Sequence, residues 1–246
     1  MDVAAIIVAV LPHGEHGAVV RFLSADDGIV AAYVPGGRSR SQRPVLQPGN
    51  GVAVRLKARS PGALPTAAVE LTHARTGLAT GRATAAALEY LTALVATVLD
   101  DGIAVPRLHA ALDAILAAMA LADGAEQARV WHAGVVRFEL LLLAELGFGL
   151  DLSTCAATGL AAVDADLAFV SPKSSHAVGR GAGAPYASKL LALPAFLVSG
   201  GVATASDIAA GFRTTGWFLE RDVLTARAAA VLAARARLIT VIARTQ

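Results

Sequence analysis

The chain of 246 residues holds a single cysteine, Cys155. One thiol cannot form an intrachain disulfide. It also excludes a four-thiolate zinc site, which needs four sulfur or imidazole ligands converging on the ion. Aromatic residues are scarce, at 5%, and long apolar runs are missing. The longest stretch without a charged side chain is Leu190–Ser206, and it contains Pro194, Ser199, Gly200 and Gly201. A bilayer-spanning helix needs about 20 consecutive apolar residues. The mean hydropathy of +0.58 therefore reflects 56 alanines and not a membrane segment. Asp2 stands where a secretory leader carries basic residues, so a cytoplasmic protein with no membrane contact is expected.

Catalytic motifs are missing as well. There is no G-x-S-x-G elbow, no P-loop lysine and no Ser-x-x-Lys pattern around Ser171–Ser174. Gly179–Gly183 reads GRGAG, but without the strand before and helix after that a phosphate loop requires. His13, Glu15 and His16 crowd into the string PHGEHG. Ligands that share one Gly-rich loop rarely present the fixed geometry a first-row metal needs, so these read as solvated turn residues. Asp164 and Asp166 are neighbours without a partner His or a second acidic pair. No enzyme is expected.

What is present is a segregated charge. Residues 1–69 carry seven basic and four acidic side chains, residues 70–166 five and twelve, and residues 167–246 nine and three. Between Asp27 and Glu70 there is no acid and there are six bases: Arg38, Arg40, Arg43, Arg55, Lys57 and Arg59. Such a block suits a polyanion.

The first 75 residues have strand character. Val3–Leu11, Ala18–Leu23, Gly28–Val34, Gly51–Arg59 and Ala67–Leu71 are short apolar or alternating runs, bounded by Gly and Pro turns such as Asp26-Asp27-Gly28. Five short strands predict a small closed barrel, which leaves no sheet edge exposed. Within the fourth, Val52, Val54 and Leu56 point one way and Arg55, Lys57 and Arg59 the other. A flexible basic loop, Gly36–Pro44, adds Arg38, Arg40 and Arg43. Phe22 and Tyr33 fit either base stacking or the barrel core, with the core favoured.

Helical spacing follows over Thr84–Leu99, Pro106 to about Ala122, and Ala125–Leu146. Another helix begins at Ser206–Gly211, and Trp217–Ala243 is expected to be one long helix with Ala and Arg interleaved. Leu167–Val170 is strand-like, and the Gly/Ser/Ala-rich Lys173–Tyr186 is expected as a loop or poorly ordered excursion. Among the C-terminal bases, Arg227, Arg235, Arg237 and Arg244 are candidates to extend a phosphate track; Arg129 and Arg137 are exceptions on an otherwise acidic middle.

Four strings in order carry a resemblance: His13-Gly14-Glu15-His16 before the strand Val19–Leu23; Gly37-Arg38-Ser39-Arg40 leading to Leu46-Gln47-Pro48-Gly49; Val136–Leu142 with Leu146-Gly147-Phe148; and Leu150-Asp151-Leu152 running into Cys155 and Gly159. Together they resemble the RecO family of bacterial DNA-repair and recombination mediators. The resemblance implies an α+β protein with an N-terminal OB-fold barrel (residues 1–78) and a mainly α-helical domain (79–246) with an irregular insert at about 151–190. It implies binding of single- and double-stranded DNA, annealing of complementary strands, and work in the RecF pathway with RecR and single-stranded-DNA-binding protein, extending to RecF and RecA, near the nucleoid. From the basic loop and strand face, the expected DNA contacts are Arg38, Arg40, Arg43, Arg55, Lys57 and Arg59, and no cofactor is expected. Many members carry a four-cysteine zinc module in the helical half. Here Cys155 matches its first position, Thr158 falls on the second and no cysteine follows, so a degenerate, zinc-free excursion is expected. Six phosphate contacts correspond to a log–log salt slope of roughly −4 to −5. The alternative is a non-catalytic adaptor whose basic barrel docks an acidic partner protein.

Overall fold

The computed structural model describes residues 2–58, 60, 62–224 and 228–245. Packing divides them into two compact units, residues 1–121 with 230–241 and residues 122–229 with 242–246.

The first unit opens with a closed, OB-like barrel of β1 (Asp2–His13), β2 (Gly17–Ser24), β3 (Gly28–Val34), β4 (Gly51–Lys57) and β5 (Thr66–His73), in the order β1-β2-β3-β5-β4. Alternation drives it: Val20, Phe22, Ala32, Val34, Val52 and Val54 fill the interior, while Arg55 and Lys57 face out. β1 pairs with β4 over Asp2–Ile6 and with β2 over Ala5–His13, with a bulge between Ile7 and Ala9 that bends it. The barrel is followed in the same unit by α1 (Arg82–Val98) and α2 (Pro106–Leu121). Their buried faces, Leu88, Leu91 and Leu94 on one and Leu108, Leu112 and Leu116 on the other, have the spacing expected of core-facing stripes. Gly102, at φ +76°, makes the turn between them.

The second unit is built on α3 (Ala125–Glu145) and α5 (Ala205–Phe218). A Cβ at Gly211 would lie 2.7 Å from Val136 Cγ1, so the two helices meet where α5 has no side chain. Thr204 and Asp207 form a capping box that starts α5. Buried Glu139 accepts a hydrogen bond from Thr215.

Two expectations are corrected here. Lys173–Tyr186 is an ordered excursion. β6 (Leu167–Val170) sits between β7 (Ala177–Gly179) and β8 (Leu191–Ala192), and α4 (Arg180–Gly183) leads into a 3-10 turn. Two of its glycines, Gly179 and Gly183, allow close approach. A Cβ at Gly183 would be 2.5 Å from the Phe169 ring, and one at Gly179 would be 2.4 Å from Ala165 O. The expected helix Trp217–Ala243 is divided. α5 passes into a π-turn at Leu219–Val223, Leu224 leaves helical geometry at ψ 79°, and α6 (Ala229–Thr245) starts afresh. No Gly or Pro signals the break. Burial of Leu219 and Leu224 and the Arg221 bonds to Pro172 O and Ser175 Oγ override helix propensity there. Among the described residues no helix is long and apolar enough to cross a membrane.

Candidate nucleic-acid interface

The basic segment after β3 is compact, not flexible. Arg38 N–H donates to His16 O (3.1 Å), Ser39 N–H to Gly36 O (2.8 Å) and Arg43 N–H to Ser39 O (3.1 Å). Leu46 plugs the barrel interior. The Arg38 guanidinium donates to Gly14 O (3.3 Å) and Glu15 O (3.1 Å), tying the segment to the β1–β2 turn. That turn is where the PHGEHG string resides. His16 Nε2 is 3.9 Å from a Glu15 oxygen, and both side chains are solvated. His13 packs instead against Tyr33, as expected of turn residues and unlike a metal site.

The far end of the segment is locked by a group the sequence reading missed. Asn50 is fully buried. Its amide donates to Pro44 O and Val45 O, both at 3.0 Å, and its oxygen accepts from Arg75 N–H at 2.8 Å. Arg75, 8% exposed, donates to Gly49 O and to Asp113 Oδ1 of α2. The Asn50 and Gly49 backbones also exchange bonds with Ile7 at the β1 bulge. In sequence, Pro48-Gly49-Asn50-Gly51 reads only as a turn. The partners lie 25 to 38 residues away, beyond any local pattern.

Register brings this segment beside the end of β4. Lys57 pairs with Thr66 of β5, Thr66 with Tyr33 of β3, and Tyr33 with Val19 of β2. Lys57 is thus two strands from Tyr33, roughly 10 Å, and Arg38 follows Tyr33 by five residues. Arg38, Arg40, Arg43, Arg55 and Lys57 are all exposed. Arg55 is the register partner of Asp2. Among the described residues, Arg38, Arg40, Arg43 and Lys57 form no ion pair. The Arg38 guanidinium bonds to carbonyl oxygens. Arg38 and Arg43 also border a cleft of about 380 Å³ with Pro12, Leu46 and Pro48. Arg59 lies outside the described residues.

Phe22 is in the barrel core, as favoured, but Tyr33 is not. It faces outward from β3, half-buried, between buried Ala32 and Val34. The C-terminal bases have different settings. Arg235 is 6% exposed, Arg237 is paired with Glu89, and Arg227 lies outside the described residues; Arg244 is exposed. Arg137 is held over the Phe196 ring (5.1 Å) and donates to Phe196 O and Gly201 O. Asp166 accepts from Arg180 Nε at 2.8 Å, so it anchors the start of α4 and does not pair with Asp164. A strand does precede GRGAG, contrary to the sequence reading, and a 3-10 turn follows it; α4 is the string's own Arg180–Gly183. That helix is four residues long, too short to collect anion-binding amides.

The comparisons with known proteins agree with this architecture. Residues 1–75 match the family "Recombination protein O N terminal" and residues 80–227 match "Recombination protein O C terminal". The chain belongs to the RecO family. It is 44% identical over 239 residues to the DNA repair protein RecO of Rhodospirillum rubrum, covering 95% of this chain and 92% of the relative. Against that of Rhodospirillum centenum identity is 42% over 236 residues (96% and 91%), and against that of Phenylobacterium zucineum 44% over 220 residues (88% and 86%).

The zinc module implied by this family can be tested against the donors present. Cys155 is 1% exposed, and its Sγ accepts from Gly179 N–H at 3.2 Å. The Thr158 hydroxyl, then the Gly179 amide, lower the thiol pKa to about 7. The nearest facing position, Gly179, has no room for a ligand side chain. His176 is 3.7 Å from an Asp151 oxygen. Among the described residues, no three His, Cys, Asp or Glu side chains group as a metal site. One sulfur surrounded by amide and hydroxyl donors does not fit zinc.

Proposed function

We propose that this RecO-family chain is a DNA-binding recombination mediator of the RecF pathway, acting by electrostatics without bond-making chemistry. The observation that carries the reading is the barrel rim, where Arg38, Arg40, Arg43, Arg55 and Lys57 are exposed on adjoining strand ends; Arg59 completes the proposed set. Cations along such a rim contact phosphates whatever the base sequence. They screen the repulsion between two backbones, which favours annealing of complementary strands. The same contacts hold a strand while RecA is loaded onto DNA coated with single-stranded-DNA-binding protein, with RecR as partner and RecF at some lesions. The protein works in the cytoplasm at the nucleoid and needs no metal, since hydrogen bonds to Cys155 organise the excursion.

A strand-annealing assay with and without coating protein, run with the purified chain and a RecR-like partner, tests this. Faster annealing, abolished by heparin, with DNA left intact in Mg²⁺, is the expected result. Binding to an acidic protein with no annealing would favour the adaptor reading. Cleavage of the DNA would overturn the non-catalytic one.

A further inference from the structure

We infer that the His13–Tyr33 ring pair on the outside of the barrel is a docking point for an unpaired nucleobase, so that the rim holds a single strand by a base as well as by its phosphates. This rests on the nucleic-acid reading of the rim. Phe22 and Tyr33 are the only Phe, Tyr or Trp residues before residue 74, and Phe22 is buried in the core. Tyr33 is therefore the one such ring the barrel offers to solvent.

Its setting is built. The hydroxyl end of the ring occupies the space that a side chain on Gly17 would take: a Cβ there would be 2.2 Å from Cε2 and 2.4 Å from the hydroxyl. The exposed His13 ring stands against it at 73°, centroids 5.7 Å apart. The rings meet edge to face, so their contact occupies one face of one ring and the pair forms a corner. The corner lies between two cations. Arg38 reaches the carbonyls of Gly14 and Glu15, directly after His13. Lys57 lies on the Lys57–Thr66–Tyr33 row. A backbone following these charges crosses the rings, and a base turned toward the protein meets them. Aromatic faces flanked by phosphate-binding cations retain single strands of any sequence, because every base has a π face. In a duplex the bases are already stacked inside and cannot take this position. A tyrosine serving only to cover Gly17 would matter for stability and not for which strand is bound.

Fluorescence anisotropy with two labelled probes separates these roles. One is a short oligothymidylate; the other is an abasic oligomer with the same number of phosphates. The wild type is expected to bind the thymidylate about tenfold more tightly. Tyr33→Leu, which keeps an apolar cover over Gly17, erases that ratio. Tyr33→Phe keeps it, and His13→Ala narrows it. Equal affinity of the wild type for both probes overturns the inference even if a variant fails to fold, as does a ratio that survives Tyr33→Leu. Replacement of Arg38, Arg40 and Arg43 by Ala weakens both probes alike. If that variant binds both as well as the wild type, the basic-rim reading fails instead.

Discussion

The barrel rim and the 151–193 excursion both carry basic side chains, but they treat the charge in opposite ways. In the excursion and the π-turn beside it, cations meet carboxylates, Arg180 with Asp166 and Arg221 with Asp222, and the His176 ring lies 3.7 Å from an Asp151 oxygen. At the rim, Arg38 bonds to main-chain carbonyls, and Arg40, Arg43 and Lys57 find no carboxylate among the described residues. Pairing in the first case organises a fold. Leaving charge uncompensated in the second adds repulsion that a partner anion relieves. The scaffolding at the rim is neutral and buried instead, centred on the Asn50 amide. Arg75, paired with Asp113, lies inside the scaffold and not on the rim.

The contrast can be broken at several points. The largest effect is expected from Asn50→Ala. It strands Pro44 O, Val45 O and the Arg75 N–H, and should destabilise the first unit by about 4 kcal/mol, at 1–3 kcal/mol per orphaned buried group; urea unfolding measures it. Next is His132 of α3, 2% exposed, with both ring nitrogens lacking a hydrogen-bond partner among the described residues. Burial lowers its pKa from 6.5 to about 4. Between those values the unfolded chain takes up a proton that the folded chain does not. Stability therefore falls as pH is lowered through that window, by up to about 3 kcal/mol, and levels off below it. His132→Phe should flatten this part of the pH profile. On the excursion side, Arg180→Ala removes an exposed pair and should shift stability by less than about 1 kcal/mol. The smallest effect is that of a chelator: EDTA should leave the unfolding midpoint unchanged and the purified chain should carry no stoichiometric zinc. A clear drop in midpoint would mean that Cys155 does have metal partners.

Much of the barrel was legible in the sequence, because Gly and Pro punctuate its strands and Arg55, Leu56 and Lys57 alternate visibly. The candidate cations were legible because no acid interrupts residues 28–69. The Asn50–Arg75–Asp113 lock was not, since it joins residues whose proximity only the closed barrel and α2 create. The outward Tyr33 was also misjudged. In an alternating strand the decisive fact is which neighbours are buried, and Gly17, the residue the ring covers, lies on another strand. The excursion was misread because glycine serves close packing at Gly179 and Gly183, whereas composition suggests flexibility. The division between α5 and α6 has no Gly or Pro to announce it. There the burial of Leu219 and Leu224 outweighs the helix preference of an alanine-rich run.

The most direct measurement is the salt dependence of oligonucleotide binding for the wild type, for Arg38→Ala/Arg40→Ala/Arg43→Ala, and for Arg180→Ala. Loss of three phosphate contacts should flatten the log–log slope by about 2 and weaken binding at least tenfold at low salt, while Arg180→Ala behaves as wild type. Unchanged affinity and slope in the triple variant, or an equal loss on removing the paired Arg180, would contradict the assignment of DNA contact to the uncompensated rim.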